Sequence, residues 1–196
     1  MLPEFSFAII LSYLIGSIST AILVCKALNL PDPRTQGSNN PGATNVLRIG
    51  GKKAAAITLV GDGLKSALPV LLAVYMGFDL VDATWIALAA FLGHVYPVFF
   101  SFKGGKGVAT FLGALFALGF TIGASFTLIW VFVAKVLKIS SLSALIATLL
   151  TPVFFFFLSG DLKATYIICL MSLWILYTHR SNIKRMISGE EDSIKS

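Results

Sequence analysis

The sequence predicts an all-α polytopic membrane protein with seven transmembrane helices, an outside N-terminus and a cytoplasmic C-terminus. Apolar residues make up 57% of the 196 residues, charged residues only 12%, and the mean hydropathy is +0.88. Soluble domains usually contain about 25% charged residues. A helix that crosses the hydrocarbon core needs about 20 apolar residues. So few residues remain for loops that we expect residues 1–196 to form one membrane domain, with its chemistry in short connections and helix ends.

Six apolar runs mark the candidate spans, and the fourth run is too long for one helix. The runs are residues 5–28, 54–76, 80–100, 107–138, 139–159 and 164–178. As one helix, the fourth run would be about 48 Å long, well beyond a hydrocarbon core about 30 Å thick. Gly119 and Gly123 lie near its middle and predict a break there, which gives seven spans.

The distribution of basic residues favours seven spans over six. With seven spans, 13 Lys and Arg residues lie on the inner side and Lys163 alone lies outside, whereas six spans give 8 inside and 6 outside. Inner loops of membrane proteins carry an excess of Lys and Arg. Seven spans also place three polar, glycine-bearing stretches on one cytoplasmic face, namely residues 32–53, 101–107 and 179–190. The functional site is therefore expected on that face.

The net charge of +6 follows from this topology, and we do not expect nucleic acid as a partner. The first run, 5–28, lacks a basic n-region and is too long for a signal peptide, so it should remain as a transmembrane helix. Cys25 and Cys169 lie inside apolar runs, which predicts small buried side chains rather than a disulfide. A thiolate acyl carrier at Cys25 is the alternative, but an apolar helix disfavours the thiolate.

The first polar stretch is rich in neutral hydrogen-bond donors. Between positions 37 and 45 it contains Gly37, Ser38, Asn39, Asn40, Gly42, Thr44 and Asn45. After a turn at Pro41 and Gly42, residues 43–48 could open a helix whose N-terminus points at an anion. An ordinary reverse turn explains the same composition, and Arg48 could equally anchor the chain in lipid headgroups.

The second stretch, Lys103-Gly-Gly-Lys-Gly107, joins two apolar runs. Its glycines allow the backbone to approach a phosphate closely. It is not a P-loop, because that motif needs Gly six positions before its Lys and Ser or Thr after it. A glycine hinge with two snorkelling lysines is the alternative. For His94, a packing role is favoured over a role in the site.

The third stretch places His179 and Asn182 on one helical face, three residues apart. The basic residues around them, Arg180, Lys184 and Arg185, fit interfacial anchors. Inside the second span, Asp62 and Lys65 are also three residues apart. Because unpaired charges are costly in a membrane, we expect a structural ion pair, with support of the site as the alternative.

A cluster of Arg, Lys, His and neutral donors with almost no carboxylate suits the binding of oxyanions, two at once if needed. It does not suit metal hydrolysis, because the inner loops show no Cys/His cluster and no paired acidic ligands. We therefore expect no metal and no cofactor. A Gly-x-Ser-x-Gly elbow is absent around Ser38, and neither His94 nor His179 starts a His-x4-Asp acyltransferase motif.

Three segments, GSNNPGATNVLR (37–48), GHVYPVFFSFKGGKGVAT (93–110) and HRSNIKRMISGEE (179–191), resemble the cytoplasmic motifs of the PlsY family of bacterial acyl-phosphate:glycerol-3-phosphate acyltransferases. The resemblance extends over the whole chain in length, helix pattern and motif order. One departure is Asn39, where the family usually has Gly. Asn tolerates positive φ better than most residues.

The resemblance implies transfer of a fatty acyl group from acyl phosphate to the 1-hydroxyl of glycerol 3-phosphate, giving lysophosphatidic acid and phosphate. It implies a multi-pass protein of the bacterial plasma (inner) membrane, with membrane lipids around it and no obligate protein partner. By matched position, the catalytic residues would be Lys106, His179 and Ser38. The substrate-binding residues would be Gly37, Asn40, Thr44, Asn45, Arg48, Gly104, Gly105, Ser141 and Asn182. Of these, Arg48, Lys106, His179 and Asn182 would hold glycerol 3-phosphate, and the first motif would cradle the acyl phosphate.

Two questions stay open at this level. The proton of the attacking hydroxyl could go to His179 or to the departing phosphate. An organic-phosphate or anion transporter would use similar basic helix ends, but near the midplane and with access from both sides. A purely structural membrane protein would not need three donor-rich loops.

Overall fold

The computed structural model describes residues 3–194, which form nine α-helices. Their bounds are α1 Pro3–Gly16, α2 Thr20–Ala27, α3 Ala43–Tyr75, α4 Leu80–Val95, α5 Val108–Leu118, α6 Phe120–Leu137, α7 Ser140–Ser159, α8 Leu162–Thr178 and α9 Arg180–Ile187. A single 3₁₀ turn, Val98–Phe100, follows α4. The prediction of an all-α fold is confirmed.

The first apolar run forms two helices, α1 and α2, rather than one uninterrupted helix. Together they make an apolar segment of 25 residues, Pro3–Ala27. The break at residues 17–19 lies where α1 meets α4 closely, since a Cβ on Gly16 would overlap the carbonyl of Ala90. The free carbonyl of Ile18 in this break accepts a hydrogen bond from Lys65 Nζ at 2.9 Å. A basic side chain of α3 thus supplies the donor that the interrupted helix lacks.

Helix α3 begins at Ala43, well before the apolar run at residue 54, and continues to Tyr75. Its start confirms that the first polar stretch opens a helix. Gly51, with φ 76° and ψ −176°, interrupts the helical geometry. The left-handed φ region is readily available only to glycine, so Gly51 lets the polar first segment of α3 change direction before the apolar segment begins.

The long fourth run breaks at Gly119, as predicted, into α5 of 11 residues and α6 of 18 residues. The two helices pack side by side as a helical hairpin. The rings of Phe111 in α5 and Phe126 in α6 pack edge to face, with their centroids 5.9 Å apart. Both phenylalanines are buried.

Five segments are long and apolar enough to cross a membrane: Pro3–Ala27, Ala43–Tyr75, Leu80–Phe100, Phe120–Leu137 and Ser140–Ser159. A sixth combines α8 with α9 across a 55° bend. Helix α5 is apolar but shorter. A multi-pass helical protein is therefore confirmed, whereas the count of seven spans and the orientation of the termini stay predictions.

The helices pack through small residues and apolar rings, as is typical of membrane bundles. Helices α3 and α5 touch at their backbones, since a Cβ on Gly113 would overlap the carbonyl of Gly63. A buried cluster that includes Phe91, Phe126 and Met171 joins α4, α6 and α8. Both cysteines are free, as predicted, with Cys25 buried and Cys169 half-buried.

Large apolar side chains also cover the outside of the bundle. The side chains of Phe120, Leu128 and Phe157 are 70% to 80% exposed. Contiguous apolar surface of this kind is rare on soluble monomers. It fits a bundle whose solvent is lipid.

Candidate active site

The three polar stretches meet at one cavity of about 350 Å³. Nine of the predicted site residues line it, namely Ser38, Asn40, Thr44, Asn45, Arg48, Lys106, Ser141, His179 and Asn182. Gly37, Gly104 and Gly105 do not line it. The stretches are far apart in sequence, so their convergence depends on the helix packing described above.

Asn45 organises the first stretch from within. Its Oδ1 accepts from the backbone N–H of Ser38 at 2.9 Å, and its Nδ2 donates to the carbonyls of Pro33 and Gln36 at 2.8 and 2.9 Å. The side chain is 1% exposed. All its polar atoms are thus used within the loop. Although Asn45 lines the cavity, its observed role is to shape the loop.

Two positions of this loop require left-handed backbone. Gly37 has φ 61°, and a Cβ there would overlap Asn45 Oδ1. Asn39 has φ 56°, a conformation that Asn adopts more readily than most non-glycine residues. Asn39 therefore adopts a backbone conformation that glycine would also allow. The replacement of the usual family glycine by Asn39 is compatible with the observed loop conformation.

The N-terminus of α3 faces the cavity. Gly42, Ala43 and Thr44 line it, and Gly42 is the N-cap without a side-chain cap. The first N–H groups of a helix have no partner within the helix and favour anions. The predicted helix start is therefore present at the cavity wall, and its binding of an anion stays a prediction. The hydroxyl of Thr44 also lies 3.4 Å from that of Ser140 in α7.

The second stretch presents Lys106 between two glycines. Its Nζ donates to Oδ1 of Asn182. Burial, together with the positive charges of Arg185 and Arg48, lowers the pKa of Lys106 to about 8, although Glu191 opposes the shift. Lys106 is therefore mostly protonated at pH 7 and can act as a cation in the cavity.

Gly104 and Gly105 support this loop and do not face the cavity. A Cβ on Gly104 would lie 2.6 Å from Val95 O and from Pro97 Cδ. The N–H of Gly105 donates to the carbonyl of His94 at 3.2 Å. These glycines pack the loop against the end of α4.

His179 ends α8 and is 4% exposed. Its Nδ1 donates to the carbonyl of Ile175 at 2.8 Å, so in the neutral ring Nε2 is the acceptor. Burial and the charge of Lys106 lower the pKa of His179 to about 4. No carboxylate is needed to orient the ring, because a backbone carbonyl does so.

Glu191 is the site residue that the sequence did not indicate. Its Oε1 accepts from Ser141 Oγ at 2.6 Å and from Asn182 Nδ2 at 2.5 Å, and its Oε2 accepts from Arg185 Nε at 2.7 Å. Burial alone would raise the pKa of Glu191, but these hydrogen bonds outweigh it and lower the pKa. The expectation of a site with almost no carboxylate is therefore wrong. The turn at Gly189, with φ 74°, and the acids that follow it are the only local sign of this arrangement.

Two further contacts tie the C-terminal segment to the site. Asp192 forms an ion pair with Arg48, with Nη2 and Oδ2 3.2 Å apart. The N–H of Ile194 donates to the carbonyl of Lys138 at 2.6 Å. Ser141, one of the predicted substrate-binding residues, contacts the segment after the third stretch through its hydrogen bond to Glu191.

Below the polar groups the cavity becomes apolar. The residues of this apolar groove come from α3, α5, α6 and α7: Leu59, Val108, Leu112, Phe126, Trp130, Val131 and Ala144. Such a surface favours the binding of a hydrocarbon chain. Within residues 3–194, no group of three or more His, Cys, Asp or Glu side chains is placed to hold a metal ion.

The fold and the cavity together define a polytopic membrane protein whose cavity combines basic and neutral polar side chains with an apolar groove. A sequence model of the family described as glycerol-3-phosphate acyltransferase matches residues 6–189. The chain belongs to this family.

Relatives and solved structures agree over nearly the full length. A glycerol-3-phosphate acyltransferase of Ruthia magnifica subsp. Calyptogena magnifica is 69% identical over 99% of this chain and 100% of the relative. One of Hydrogenovibrio crunogenus is 52% identical over 94% of this chain and 88% of the relative.

A crystal structure of PlsY, described as an integral membrane glycerol 3-phosphate acyltransferase in its glycerol 3-phosphate form, matches with a TM-score of 0.94 at 37% identity, covering 98% of this chain and 96% of that one. Its lysophosphatidic acid form matches with a TM-score of 0.90 at 36% identity, over 97% and 95% of the two chains. The resemblance to the PlsY family is confirmed.

Proposed function

We propose that this protein transfers a fatty acyl group from acyl phosphate to the 1-hydroxyl of glycerol 3-phosphate, releasing lysophosphatidic acid and inorganic phosphate. The observation that carries the proposal is the single cavity in which cationic and neutral oxyanion-binding groups stand above an apolar groove. Such a cavity matches two phosphate-bearing substrates, one of which carries a hydrocarbon chain.

The cationic side of the cavity suits the acceptor. Arg48, Lys106, His179 and Asn182 line it together, and we assign glycerol 3-phosphate to them. Arg48 offers a planar fork that matches two phosphate oxygens, and Lys106 offers a compact charge. Asp192, which pairs with Arg48 in the free protein, would give way to the phosphate.

The neutral side of the cavity suits the donor. Ser38, Asn40, Thr44 and the α3 N-terminus offer hydroxyl, amide and backbone donors without a full charge. We assign the acyl-phosphate phosphate to this side and the acyl chain to the apolar groove. Ser38 lies beside the reacting group in this arrangement, where its hydroxyl donates to the donor phosphate.

The chemical step needs placement more than activation, because an acyl phosphate already carries a good leaving group. The 1-hydroxyl oxygen attacks the acyl carbon, the bond from that carbon to the phosphate oxygen breaks, and phosphate leaves. Correct positioning and charge stabilisation by Lys106 and Arg48 supply the acceleration.

Two groups can take the hydroxyl proton, Nε2 of His179 and the departing phosphate. With a pKa lowered to about 4 in the free protein, His179 is a weak base. The acyl phosphate is ionised at neutral pH, so the phosphate that leaves carries one more negative charge than it had in the donor and is the stronger base. We therefore assign the proton to the departing phosphate, to which the attacking hydroxyl donates directly, while His179 helps to hold the acceptor without taking its proton.

The donor assignment predicts turnover with acyl phosphate and glycerol 3-phosphate, and none with acyl-CoA of the same chain length. The reason is that the described cavity offers small anion-binding loops and an apolar groove for the donor. Purified protein is assayed for lysophosphatidic acid with each donor, and for released phosphate with the first. Comparable rates with both donors would contradict the assignment.

A transporter is the second candidate, and the geometry supports it less. The three stretches follow α2, α4 and α8, so that every polar loop of the site lies at the same end of the bundle. We assign this end to the cytoplasmic face of the bacterial inner membrane, in a seven-span arrangement in which α5 counts as a crossing.

This topology predicts that single cysteines at Asn40, Ser101 and Ser181, introduced without Cys25 and Cys169, are shielded from an impermeant thiol reagent in intact cells. A cysteine at Lys163, in the first turn of α8, should be labelled from outside. All four should react once the membrane is permeabilised. External labelling at any of the first three positions would refute the common cytoplasmic face.

A further inference from the structure

Three ionisable side chains, Asp62 and Lys65 of α3 and His94 of α4, form a buried cluster at the edge of the site, where Asp62 and His94 line the cavity. Their exposed fractions are 1%, 6% and 6%. Lys65 Nζ lies 3.0 Å from Asp62 Oδ1, which confirms the predicted ion pair. His94 Nδ1 lies 3.7 Å from the same carboxylate oxygen. The pair is therefore part of a three-member group that joins two helices.

A backbone carbonyl between α1 and α2 also holds the cluster in place. Lys65 Nζ also donates to the carbonyl of Ile18, in the break between α1 and α2. Asp62 thus lies between the ammonium of Lys65 and the imidazole of His94. Charged groups in a membrane interior persist where they are paired with one another or with backbone carbonyls. The imidazole of His94 is the member that reaches the site loops.

His94 contacts the glycine-rich loop with both its backbone and its ring. Its carbonyl accepts from the N–H of Gly105 at 3.2 Å. A Cβ on Gly105 would overlap the ring at Nε2 and would lie 2.8 Å from Cε1. It would also lie 3.0 Å from the carbonyl of Pro41. The first and second stretches therefore meet at Gly105, directly over the His94 ring.

Lys106 follows Gly105 immediately, so the ring lies one residue from the cation that reaches Asn182. Two other contacts hold the end of this loop: Thr178 Oγ1 donates to the carbonyl of Lys106 at 3.0 Å, and a Cβ on Gly107 would overlap the ring of Phe91. The His94 ring is the contact that the loop shares with the first stretch. We propose that His94, anchored by Asp62, is a positioning residue: its ring sets the distance between the Lys103–Gly107 loop and the first stretch, and so places Lys106 against the acceptor phosphate.

This inference rests on the proposed assignment of the acceptor phosphate to Lys106, and it predicts a selective kinetic effect. His94→Ala should raise the KM for glycerol 3-phosphate at least tenfold, while the KM for the acyl donor changes less than threefold. His94→Gln, which keeps a long polar side chain, should recover part of the loss. Asp62→Asn should shift the same constant in the same direction. Ser66→Ala, another buried polar position of α3, is the matched control and should leave both constants unchanged.

A double-mutant cycle tests the contact itself. Gly105→Ala places a methyl group against the ring and should lower kcat/KM severely, whereas in the His94→Ala background the methyl loses this overlap and keeps only the 3.0 Å contact with the carbonyl of Pro41. The cost of Gly105→Ala should therefore fall at least tenfold in that background, since contacting residues are non-additive. Equal costs in both backgrounds, or a loss that only follows the folded fraction with both KM values unchanged, would overturn the inference. The KM for glycerol 3-phosphate is measured with whichever acyl donor supports turnover, so failure of the acyl-phosphate proposal is scored separately.

Discussion

Replacing Arg48 or Lys106 by alanine is expected to abolish most activity while the protein stays folded in the membrane. Truncating one partner of a desolvated, hydrogen-bonded charge pair costs about 2 to 5 kcal/mol. If that cost is fully expressed in the transition state, kcat/KM falls about 30-fold to several thousand-fold. Both side chains line the cavity, and Lys106 already donates to Asn182. Steady-state kinetics with glycerol 3-phosphate measures the loss directly.

Nearby basic residues outside the cavity provide the matched controls. Arg180 stacks on the ring of Tyr177 at 4.5 Å and is exposed, and Lys184 is exposed on the same helix. Their alanine variants should cost less than about tenfold, because snorkelling side chains at an interface are individually replaceable. Arg48→Lys should fall between, since it keeps the charge and loses the planar fork. Near-normal kcat/KM in both Arg48→Ala and Lys106→Ala would show that neither residue grips the phosphate.

Substituting Glu191 by glutamine is expected to lower kcat/KM for glycerol 3-phosphate by about 10- to 150-fold, the equivalent of about 1.5 to 3 kcal/mol for hydrogen bonds to a charged group. The carboxylate accepts three hydrogen bonds, and its side chain is 7% exposed. A glutamine can keep one acceptor oxygen but presents an NH₂ group to a donor. Asn182 would then lose the partner that turns its Oδ1 toward Lys106.

Glu190→Gln is the control for Glu191→Gln. It makes the same chemical change one residue earlier, where the exposed carboxylate accepts only from Ser188 Oγ at 3.1 Å among the described residues. Its kcat/KM should stay within about threefold of wild type, as is usual for surface substitutions of about ±0.5 kcal/mol. A rise in kcat/KM in Glu191→Gln would instead identify Glu191 as a competitor for the substrate phosphate.

Much of the fold was predictable because each membrane-spanning helix requires a long apolar run, and these runs can be read directly from the sequence. The break at Gly119 followed from the length of run 107–138, and the start of α3 followed from the turn at Pro41 and Gly42. The break between α1 and α2 was not predictable. It depends on the close approach of Gly16 to Ala90 and on a donor from Lys65, and both partners belong to other helices. The small and polar residues at positions 16–20 mark the place of the break but do not by themselves predict it.

The site shows the same division. Composition alone predicts three parts of the site, residues 37–48, 103–107 and 179–182. The reason is that anion binding needs donors and glycines close together in sequence. Glu191 could not be recognised in this way, since an acid in a polar segment after the last helix is ordinarily solvated. Its burial depends on contacts from three places, Ser141 of α7, Asn182 of α9 and the bond between Ile194 and Lys138. The shaping role of Asn45 was hidden for a similar reason, because its partners Pro33 and Gln36 belong to an irregular loop.

In the proposed topology, the unequal lengths of α5 and α6 determine how far below the membrane surface Lys106 lies. Helix α5 ends and helix α6 begins at the corner at Gly119. Helix α6 has 18 residues, and α5 has 11. At 1.5 Å per residue, α6 therefore rises about 10 Å farther than α5. In the proposed topology, Lys106, which precedes α5, would be recessed by about that amount, and a headgroup layer is only about 5 to 8 Å thick. An acyl chain can then react while its methylenes stay in hydrocarbon, which avoids about 0.8 kcal/mol for each methylene drawn into water. In the proposed reaction, the small polar acceptor would therefore move down to the acyl chain, and the acyl chain would stay at the depth of the lipid.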